Sequence, residues 1–258
     1  MSTGIAIGVD VGGSAIKAGA VDTASGTLVG SRRSVATPQP STPAAVVEVI
    51  AGLVARIGRE SGAPAAGVGV GVPSVVIGGV TKSAANIDQA WIGFDAGGAL
   101  GATIGRPVLV LNDADAAGLA EMRFGAGVGR RGTVFVLTLG TGLGSALFTD
   151  GKLVPNTELG HMEIRGDDAE HRSAAVARVR DKLSWEAWAA DLAEHLQAID
   201  RLFWPDLIIL GGGVSQDADR FLPYLTVRPP VVPAELRNDA GIVGAAMAAA
   251  EAAAEAAG

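Results

Sequence analysis

The sequence predicts an α/β protein made of two similar lobes, because strands alternate with helices and two motifs each occur twice. A Gly-rich hairpin turn at Gly12 returns at Gly140. The element Asn112-Asp113-Ala114 returns at almost the same spacing as Asn238-Asp239-Ala240. Chance similarity between Gly turns and Ala-rich helices is the alternative, but both repeats keep one order and nearly one spacing. We therefore interpret the chain as a duplication of βββαβαβα-like lobes with a cleft between them.

The individual elements follow from the periodicity of the apolar residues. Patterns typical of strands occur over 4–11, 15–21, 27–35, 67–72 and 107–111. Helical patterns occur over 42–59, 114–124 and 185–203. Ser41 is the candidate N-cap of the first helix. We expect one lobe to comprise residues 1–113, completed by a C-terminal helix over about 240–258, and the other to comprise residues 114–239.

The composition excludes several classes of protein. The chain has 258 residues, 48% of them hydrophobic, which suffices for a full core and argues against disorder. Because it contains no Cys, it has no disulfide scaffold, no Cys-ligated metal and no thiol nucleophile. The net charge of −7 argues against a general nucleic-acid binder, whose affinity would depend on surplus Lys and Arg.

The chain also lacks sequence signals for a membrane. Its first residues, Met-Ser-Thr-Gly-Ile, lack the basic region and apolar core of a signal peptide. The longest uncharged stretch, 61–81, contains six Gly and two Pro, which indicates strand and loop rather than a membrane span. We therefore expect a cytoplasmic protein without a membrane partner.

The first hairpin carries residues suited to holding phosphate groups. Its segment Asp10-Val11-Gly12-Gly13-Ser14-Ala15-Ile16-Lys17 combines a carboxylate, two Gly, a hydroxyl and an amine. Backbone amides of Gly can approach phosphate oxygens because no Cβ intervenes. Asp10 is a candidate ligand of Mg²⁺, acting through water. A plain hairpin with an Asp beside a Gly pair is the alternative.

Two later turns repeat this chemistry, at Gly140-Thr141-Gly142 and at Gly211-Gly212-Gly213. None of the three turns has the G-x-G-x-x-G spacing of a dinucleotide site, and the chain has no GxxxxGK[ST] loop. The combination therefore favours a phosphotransferase cleft in which several turns hold one phosphoryl donor.

The segment Asn112-Asp113-Ala114-Asp115 joins an apolar strand to a helix. Phosphoryl transfer to a hydroxyl needs a carboxylate that accepts the hydroxyl proton, and Asp113 is the candidate. Helix capping is the alternative, worth about 1 kcal/mol. Asp115 also suits a cap by its position, which leaves Asp113 for chemistry.

The segment Asn156-Thr157-Glu158-Leu159-Gly160-His161 offers amide, carboxylate and imidazole groups close together. Such groups suit sugar hydroxyls, which both donate and accept hydrogen bonds. Glu158 and His161 are therefore candidate sugar contacts, with a surface loop as the alternative. Asn86 is a further candidate, although an Asn in a turn is the commoner case.

In their order, these motifs resemble those of the ROK family of sugar kinases, and the resemblance covers nearly the whole chain. It is carried by Asp10-x-Gly12-Gly13-Ser14-x-x-Lys17, Gly71-Val72-Pro73, Asn112-Asp113-Ala114-Asp115-Ala116-Ala117, Leu139-Gly140-Thr141-Gly142, Glu158-Leu159-Gly160-His161 and Leu210-Gly211-Gly212-Gly213-Val214. The resemblance implies an actin-like (RNase H-like) fold and Mg²⁺-dependent phosphoryl transfer to a hexose.

The resemblance also implies roles for single residues. Asp113 becomes the catalytic base, and Asn112, Glu158 and His161 become sugar contacts, with Asn86 a weaker one. ROK members usually carry a Cys-rich zinc motif after the Glu-x-Gly-His element, and this chain has none, so we expect no zinc. The second Glu that normally follows that motif has no clear counterpart, and Glu186 is a candidate substitute.

This chain is short for the family and lacks the zinc motif, and in this it resembles the actinobacterial polyphosphate glucokinases. The segments 153–161 and 233–244 carry this resemblance. That resemblance implies transfer from polyphosphate to the 6-hydroxyl of glucose, with ATP as a second donor, mannose as a second acceptor and a homodimer as the assembly. An ATP-dependent glucokinase or mannokinase of the family is the nearest alternative, because Gly211–Ser215, where members hold adenosine, is intact. A non-catalytic actin-like ATP-binding protein is more distant, since it would not need both Asn112-Asp113 and Glu158-x-x-His161.

A polyanionic donor conflicts with the acidic balance unless positive charge is local. Residues 171–182 contain Arg172, Arg178, Arg180 and Lys182 against Asp181 alone, and Arg32-Arg33 and Arg130-Arg131 are further basic pairs. A solvated helix face is the simpler interpretation. Our hypothesis is that some of these residues line a path for polyphosphate, which would make its binding depend on salt.

Overall fold

The structure is a computed structural model that describes residues 4–62, 66–84 and 87–257. The chain divides into two compact units. Unit 1 comprises Met1–Ala120 and Asp239–Gly258, and unit 2 comprises Glu121–Asn238. The lobe limits expected from the sequence, 1–113 with 240–258 and 114–239, stay a prediction.

Unit 1 is built on a five-stranded sheet. The strands are β1 (Ile5–Val11), β2 (Ala15–Asp22), β3 (Thr27–Ala36), β4 (Val68–Val72) and β7 (Leu109–Asn112), with a small separate hairpin of β5 (Val76–Ile77) and β6 (Val80–Thr81). The strand order in the sheet is β3-β2-β1-β4-β7. The helices are α1 (Pro43–Ser61), α2 (Ala96–Ile104), α3 (Asp113–Phe124), which continues into unit 2, and α7 (Ala240–Ala257). The first three strands pair antiparallel, and β4 and β7 continue the sheet in parallel.

Unit 2 repeats this sheet. Its strands are β8 (Thr133–Leu139), β9 (Leu143–Thr149), β10 (Lys152–Val154), β13 (Leu207–Gly211) and β14 (Val231–Pro233), with a separate hairpin of β11 (Glu163–Ile164) and β12 (Asp167–Asp168). The strand order is β10-β9-β8-β13-β14. Its helices are α4 (Glu170–Ser173), α5 (Ala175–Arg180) and α6 (Trp185–Phe203). The antiparallel and parallel pairs fall at the same places as in unit 1.

The duplication predicted from the two motifs is therefore confirmed at the level of strand order. The strand β8 has the same length as β1, and Gly140 follows its end as Gly12 follows the end of β1. The predicted helix over 185–203 has the observed bounds. The other predicted elements shift by one or two residues at their ends, as is usual where helices and strands fray.

One predicted cap was wrong. The helix α1 is capped by Thr42, whose Oγ1 accepts a hydrogen bond from the amide of Ala45 at 3.4 Å. Ser41 is engaged elsewhere, since its Oγ accepts from the amide of Asp88 at 3.1 Å and its carbonyl accepts from Nε1 of Trp91 at 2.8 Å. Both hydroxyls suit a cap. Thr42 is the cap because Ser41 is hydrogen-bonded to the loop that contains Asp88 and Trp91.

Each unit has its own core. In unit 1, α7 packs closely on the sheet because Gly8 of β1 and Gly69 of β4 leave room for its backbone. A Cβ at Gly8 would overlap the carbonyl of Ile242, and a Cβ at Gly69 would overlap that of Ala245. In unit 2, α6 buries Trp188 and Leu192 against the sheet.

In the described parts of the chain, no helix is long and apolar enough to cross a membrane.

Candidate functional site

The turn of the first hairpin is fixed by a hydrogen bond within the hairpin and by two from Thr37, which follows β3. The amide of Gly12 donates to the carbonyl of Ala15 at 3.0 Å. Thr37 donates its hydroxyl to the carbonyl of Gly12 at 2.6 Å and its amide to that of Ser14 at 3.1 Å. Gly12 and Gly13 are partly exposed and Ser14 is exposed. The predicted phosphate-holding turn is therefore a fixed, solvent-facing loop of unit 1.

Asp10 lies at the end of β1 beneath this turn. Its Oδ2 lies 3.3 Å from Nζ of Lys17, and its side chain is 18% exposed. Burial raises the pKa of Asp10, while the charge of Lys17 opposes that rise. The carboxylate also faces the start of α7, since a Cβ at Gly241 would lie 2.9 Å from its Cγ. A buried carboxylate at a helix N-terminus is stabilised in its charged form by the helix dipole and by any nearby cation.

Asp10 fits the chemistry of a Mg²⁺ ligand. Magnesium prefers hard oxygen donors and usually binds one or two carboxylates together with water and substrate phosphates. A single carboxylate beside the turn that the sequence predicts to hold phosphate meets that requirement. Within the described residues, no cluster of three or more His, Asp or Glu could by itself hold a metal.

Asn112 caps helix α3. Its Oδ1 accepts from the amides of Ala114 at 2.8 Å and Asp115 at 3.0 Å, and its Nδ2 donates to the carbonyl of Ser74 at 3.2 Å. The sequence analysis considered Asp113 and Asp115 as caps, and the structure has Asn112 in that role. Asp115 lies inside the first turn of α3, with its side chain buried. Asn112 precedes the helix and is the residue whose side chain reaches the first amides.

Asp113 begins α3 at the same edge of the unit 1 sheet as Asp10. Its Oδ1 accepts from the amide of Ala114 at 2.8 Å. Asp10 of β1 pairs with Gly71 of β4, and a Cβ at Gly71 would lie 3.3 Å from Cα of Asp113. The carboxyl ends of parallel strands meet at one edge of a sheet, so Asp10 and Asp113 lie at the same edge. Because Asn112 caps the helix, capping does not require Asp113.

In unit 2, the two other Gly turns lie side by side. The amide of Gly140 donates to the carbonyl of Gly142 at 2.9 Å, and Thr141 is exposed. Gly212 has a φ of 81° and approaches so closely that a Cβ there would overlap the carbonyl of Leu139. Gly211 ends β13, and Gly213 is exposed, with no atom within 4 Å of where a Cβ would lie. The structure therefore joins two of the three predicted donor-binding turns into one surface.

The Leu159–His161 turn presents Glu158 and His161. Oε2 of Glu158 lies 3.9 Å from Nε2 of His161, while Nδ1 of His161 bonds Oδ2 of Asp168 at 2.8 Å. Burial raises the pKa of Glu158, and the negative charge of Glu170 adds to that rise while His161 opposes it. The bond to Asp168 raises the pKa of His161. The structure therefore brings together the two side chains that the sequence analysis offers as sugar contacts.

His195 holds this turn from below. It is buried on α6, its Nε2 bonds the carbonyl of Leu159 at 2.9 Å, and its Nδ1 bonds Oγ of Ser173 at 2.9 Å. Burial lowers the pKa of His195, which favours the neutral ring. Because both ring nitrogens form hydrogen bonds within the protein, we assign His195 a structural role, in which it supports the turn.

Glu170 is a neighbour of this cluster that sequence reasoning missed. Its Oε2 accepts from the amide of Leu143 at 2.8 Å, and its charge raises the pKa values of both Glu158 and His161. Glu186, the candidate substitute, is exposed in the first turn of α6. The acidic run Asp167-Asp168-Ala169-Glu170, close behind His161, was the available signal. Asn86 lies outside the described residues.

The chain matches a known protein family and a known enzyme over most of its length. The family model described as "ROK family" matches residues 6–177. The chain is 50% identical over 242 residues to the polyphosphate glucokinase of Mycobacterium tuberculosis, covering 93% of this chain and 89% of that protein.

Two solved structures show the same fold. The inorganic polyphosphate/ATP-glucomannokinase of Arthrobacter sp. strain KM is 53% identical, with a TM-score of 0.92 over 98% of this chain and 99% of that one. A ROK family glucokinase from Streptomyces griseus, in complex with glucose and AMPPNP, is 28% identical, with a TM-score of 0.84 over 96% of this chain and 100% of that one. The predicted actin-like α/β fold is thereby confirmed.

Proposed function

Because this chain belongs to the ROK family, we propose that it is a polyphosphate-dependent glucokinase. It transfers the terminal phosphoryl group of inorganic polyphosphate to the 6-hydroxyl of glucose, and ATP serves as a second donor. The observation that carries the proposal is similarity over nearly the whole chain to a polyphosphate glucokinase and to a glucomannokinase whose name states both polyphosphate and ATP. The paired Gly turns, Asp113 and the cluster around His161 supply the groups that this reaction needs.

The sugar side of the reaction uses polar side chains. We assign the contacts with glucose hydroxyls to Asn112, Glu158, His161 and Glu170, since carboxylate, amide and imidazole groups complement hydroxyls. Glu170 takes the role of the second Glu, in place of Glu186. Asp113 accepts the proton of the 6-hydroxyl as the phosphoryl group arrives, which is the part that a carboxylate plays in kinases.

The donor side uses backbone amides more than cations. The amides of the Gly12–Ser14, Gly140–Gly142 and Gly211–Gly213 turns hold phosphate oxygens, and Lys17 adds a positive charge. Asp10 would hold Mg²⁺ through water, and the ion supplies positive charge against the donor phosphates when bound. Burial of Asp10 strengthens its attraction for cations, because charges interact more strongly away from water.

The experiment that tests this proposal compares the two donors. Purified protein is assayed for glucose 6-phosphate with Mg²⁺ and either polyphosphate or ATP. We expect turnover with both donors and a higher kcat/KM with polyphosphate. Turnover with ATP alone would favour the ATP-dependent glucokinase or mannokinase. Tight ATP binding without turnover of any hexose would favour a non-catalytic actin-like ATP-binding protein.

The polyphosphate chain needs a surface beyond the transferred group, and we place it on α5 and around Trp185. The amide of Val176 in α5 donates to the carbonyl of Gly140 at 3.1 Å, which attaches α5 to a donor-binding turn. The guanidinium of Arg178 lies 3.9 Å from the ring centre of Trp185, and that of Arg220 lies 4.9 Å from it. Two guanidinium groups near one ring place positive charge on this surface, and guanidinium groups bind phosphate oxygens strongly.

We propose a smaller set of polyphosphate contacts than the basic residues that the sequence analysis offers. Arg180 is paired with Asp181 at 2.6 Å and donates to the carbonyl of His171 at 2.7 Å. Among the residues that the structure describes, Arg220 forms an ion pair with Asp217 at 3.6 Å, and Arg178 forms none. Arg178 and Arg220 are therefore better placed than Arg180 to meet polyphosphate.

Replacing Arg178 and Arg220 with Gln should raise the KM for polyphosphate by about tenfold and lower the salt dependence of that KM by about one charge for each Arg removed. The kinetics are measured over a series of salt concentrations with long-chain polyphosphate. The matched control is Arg228→Gln, because Arg228 also stacks on an indole, Trp204 at 4.1 Å, but is paired with Asp200 at 2.6 Å. Equal KM changes in the variant and the control would contradict the assignment.

Three finer expectations stay predictions. They are the homodimer, mannose as a second acceptor and a cytoplasmic location. Sedimentation of the purified protein checks the first, and a hexose series in the donor assay checks the second.

A further inference from the structure

The hairpin of β11 and β12 carries two neighbouring Asp residues that each hold a different His. Oδ2 of Asp168 bonds Nδ1 of His161 at 2.8 Å, and Oδ1 of Asp167 bonds Nδ1 of His171 at 2.9 Å. The two pairs have the same chemistry and nearly the same length. Only the first involves a residue of the proposed sugar site.

The Asp168 side chain determines which atom of His161 faces the substrate. With Nδ1 bonded to a carboxylate, the proton of a neutral ring stays on Nδ1 and the ring is fixed in orientation. The other nitrogen, Nε2, lies 3.9 Å from Oε2 of Glu158, too far for a hydrogen bond within the protein. That nitrogen is therefore available for a ligand hydroxyl.

We propose that Asp168 is a positioning residue for glucose binding, which holds Nδ1–H of His161 and directs Nε2 to a sugar hydroxyl. The inference rests on the proposed function for the identity of the ligand. Since the chain has no Cys, a Cys-rich metal motif cannot fix this part of the site. The hairpin of β11 and β12 instead brings a carboxylate to His161, because Glu163 pairs with Asp168 across it.

The acidic side chains around His161 make its protonation, and therefore its hydrogen bond with a sugar hydroxyl, depend on pH. The groups that act on its ring are Asp168 on β12, Glu170 on α4 and Glu158 in the preceding turn, and all three are acidic. They raise the pKa of His161 above its ordinary 6.5, so the ring is charged over a wider pH range and Nε2–H donates a hydrogen bond. Removing the charge of Asp168 should move that pKa back down.

The test is glucose binding by calorimetry, without a phosphoryl donor, over a series of pH values. We expect Asp168→Asn to weaken glucose binding by about tenfold near neutral pH. The loss should shrink as the pH falls below the pKa of His161 in both proteins, because the ring is then charged in each. The glucose KM should rise accordingly, while kcat changes little. Asp168→Glu should restore part of the affinity.

The matched control is Asp167→Asn, which removes the equivalent carboxylate from His171 one residue away. We expect its glucose affinity to stay within about twofold of the wild type, as for other exposed surface substitutions. If both variants weaken glucose binding alike, or if the pH profile of Asp168→Asn matches that of the wild type, the inference is overturned.

A measurement on the unsubstituted protein covers the case in which Asp168→Asn fails to fold. The ring nitrogens of His161 are titrated by NMR and assigned by the signal that disappears in His161→Gln. We expect a titration midpoint above the ordinary value and a proton on Nδ1 in the neutral ring. A midpoint at or below 6.5 would overturn the inference. If the wild type binds no glucose by calorimetry, the proposed function fails, and this titration still decides the Asp168–His161 pair.

Discussion

Replacing Asp113 with Asn should lower the kcat for glucose phosphorylation by about three to four orders of magnitude, with little change in the glucose KM. The amide has nearly the same shape and keeps an oxygen that can accept from the amide of Ala114, so the local fold is retained. It cannot accept the proton of the 6-hydroxyl. Initial rates at saturating polyphosphate, together with a thermal melting curve, measure both parts of the prediction.

The duplication supplies the matched control for this variant. Asp239 follows Asn238 and precedes α7 as Asp113 follows Asn112 at the start of α3. It forms a surface ion pair with Arg32 at 2.6 Å, and such pairs contribute at most about 1 kcal/mol. Asp239→Asn should therefore keep nearly full activity. An Asp113→Asn protein that is folded and as active as Asp239→Asn would exclude Asp113 as the base.

Replacing Gly244 with Ala should destabilise the protein by about 3 kcal/mol or more, although Ala normally favours a helix. Gly244 lies in α7, where a Cβ would overlap the carbonyl of Ala116 in α3. Backbone atoms cannot rotate away as a side chain can, so the two helices must separate. Because Asp113 begins α3, kcat should fall as well. Chemical denaturation gives the free energy of unfolding.

The same substitution in α1 should have the opposite sign. Gly52 is exposed in the middle of α1, and a Cβ there would meet no atom within 4 Å. Gly52→Ala should stabilise the protein by about 0.5–1 kcal/mol, because Ala loses less backbone entropy in a helix. If Gly244→Ala were as stable as Gly52→Ala, the close approach of α3 and α7 would be wrong.

Much of the fold could be predicted from the sequence because the two units repeat both a turn and a spacing. A Gly turn between apolar strands is a local signal, and its second copy after β8 locates both hairpins. The caps could not be predicted as reliably. Ser41 and Thr42 both suit a cap, and Asn112 competes with Asp115, so the choice depends on contacts with distant loops and on backbone geometry.

The candidate site likewise contains some residues that the sequence predicts and others that only the tertiary structure reveals. The Gly turns, Asp10, Asp113 and the Glu158–His161 element are visible as motifs. Glu170 and Asp168 were not singled out, because their roles depend on the β11–β12 hairpin folding back to His161. Arg220 lies far beyond Arg178 in the sequence, and only the tertiary structure brings both to Trp185.

The most direct test of the central claim follows the phosphorus atoms themselves. Purified protein, glucose, Mg²⁺ and polyphosphate are combined without any nucleotide, and the products are followed by phosphorus NMR. We expect the signal of glucose 6-phosphate to grow while the polyphosphate shortens from its ends. Release of orthophosphate alone, or no change in the spectrum of a protein that phosphorylates glucose from ATP, would contradict polyphosphate-dependent phosphoryl transfer to glucose.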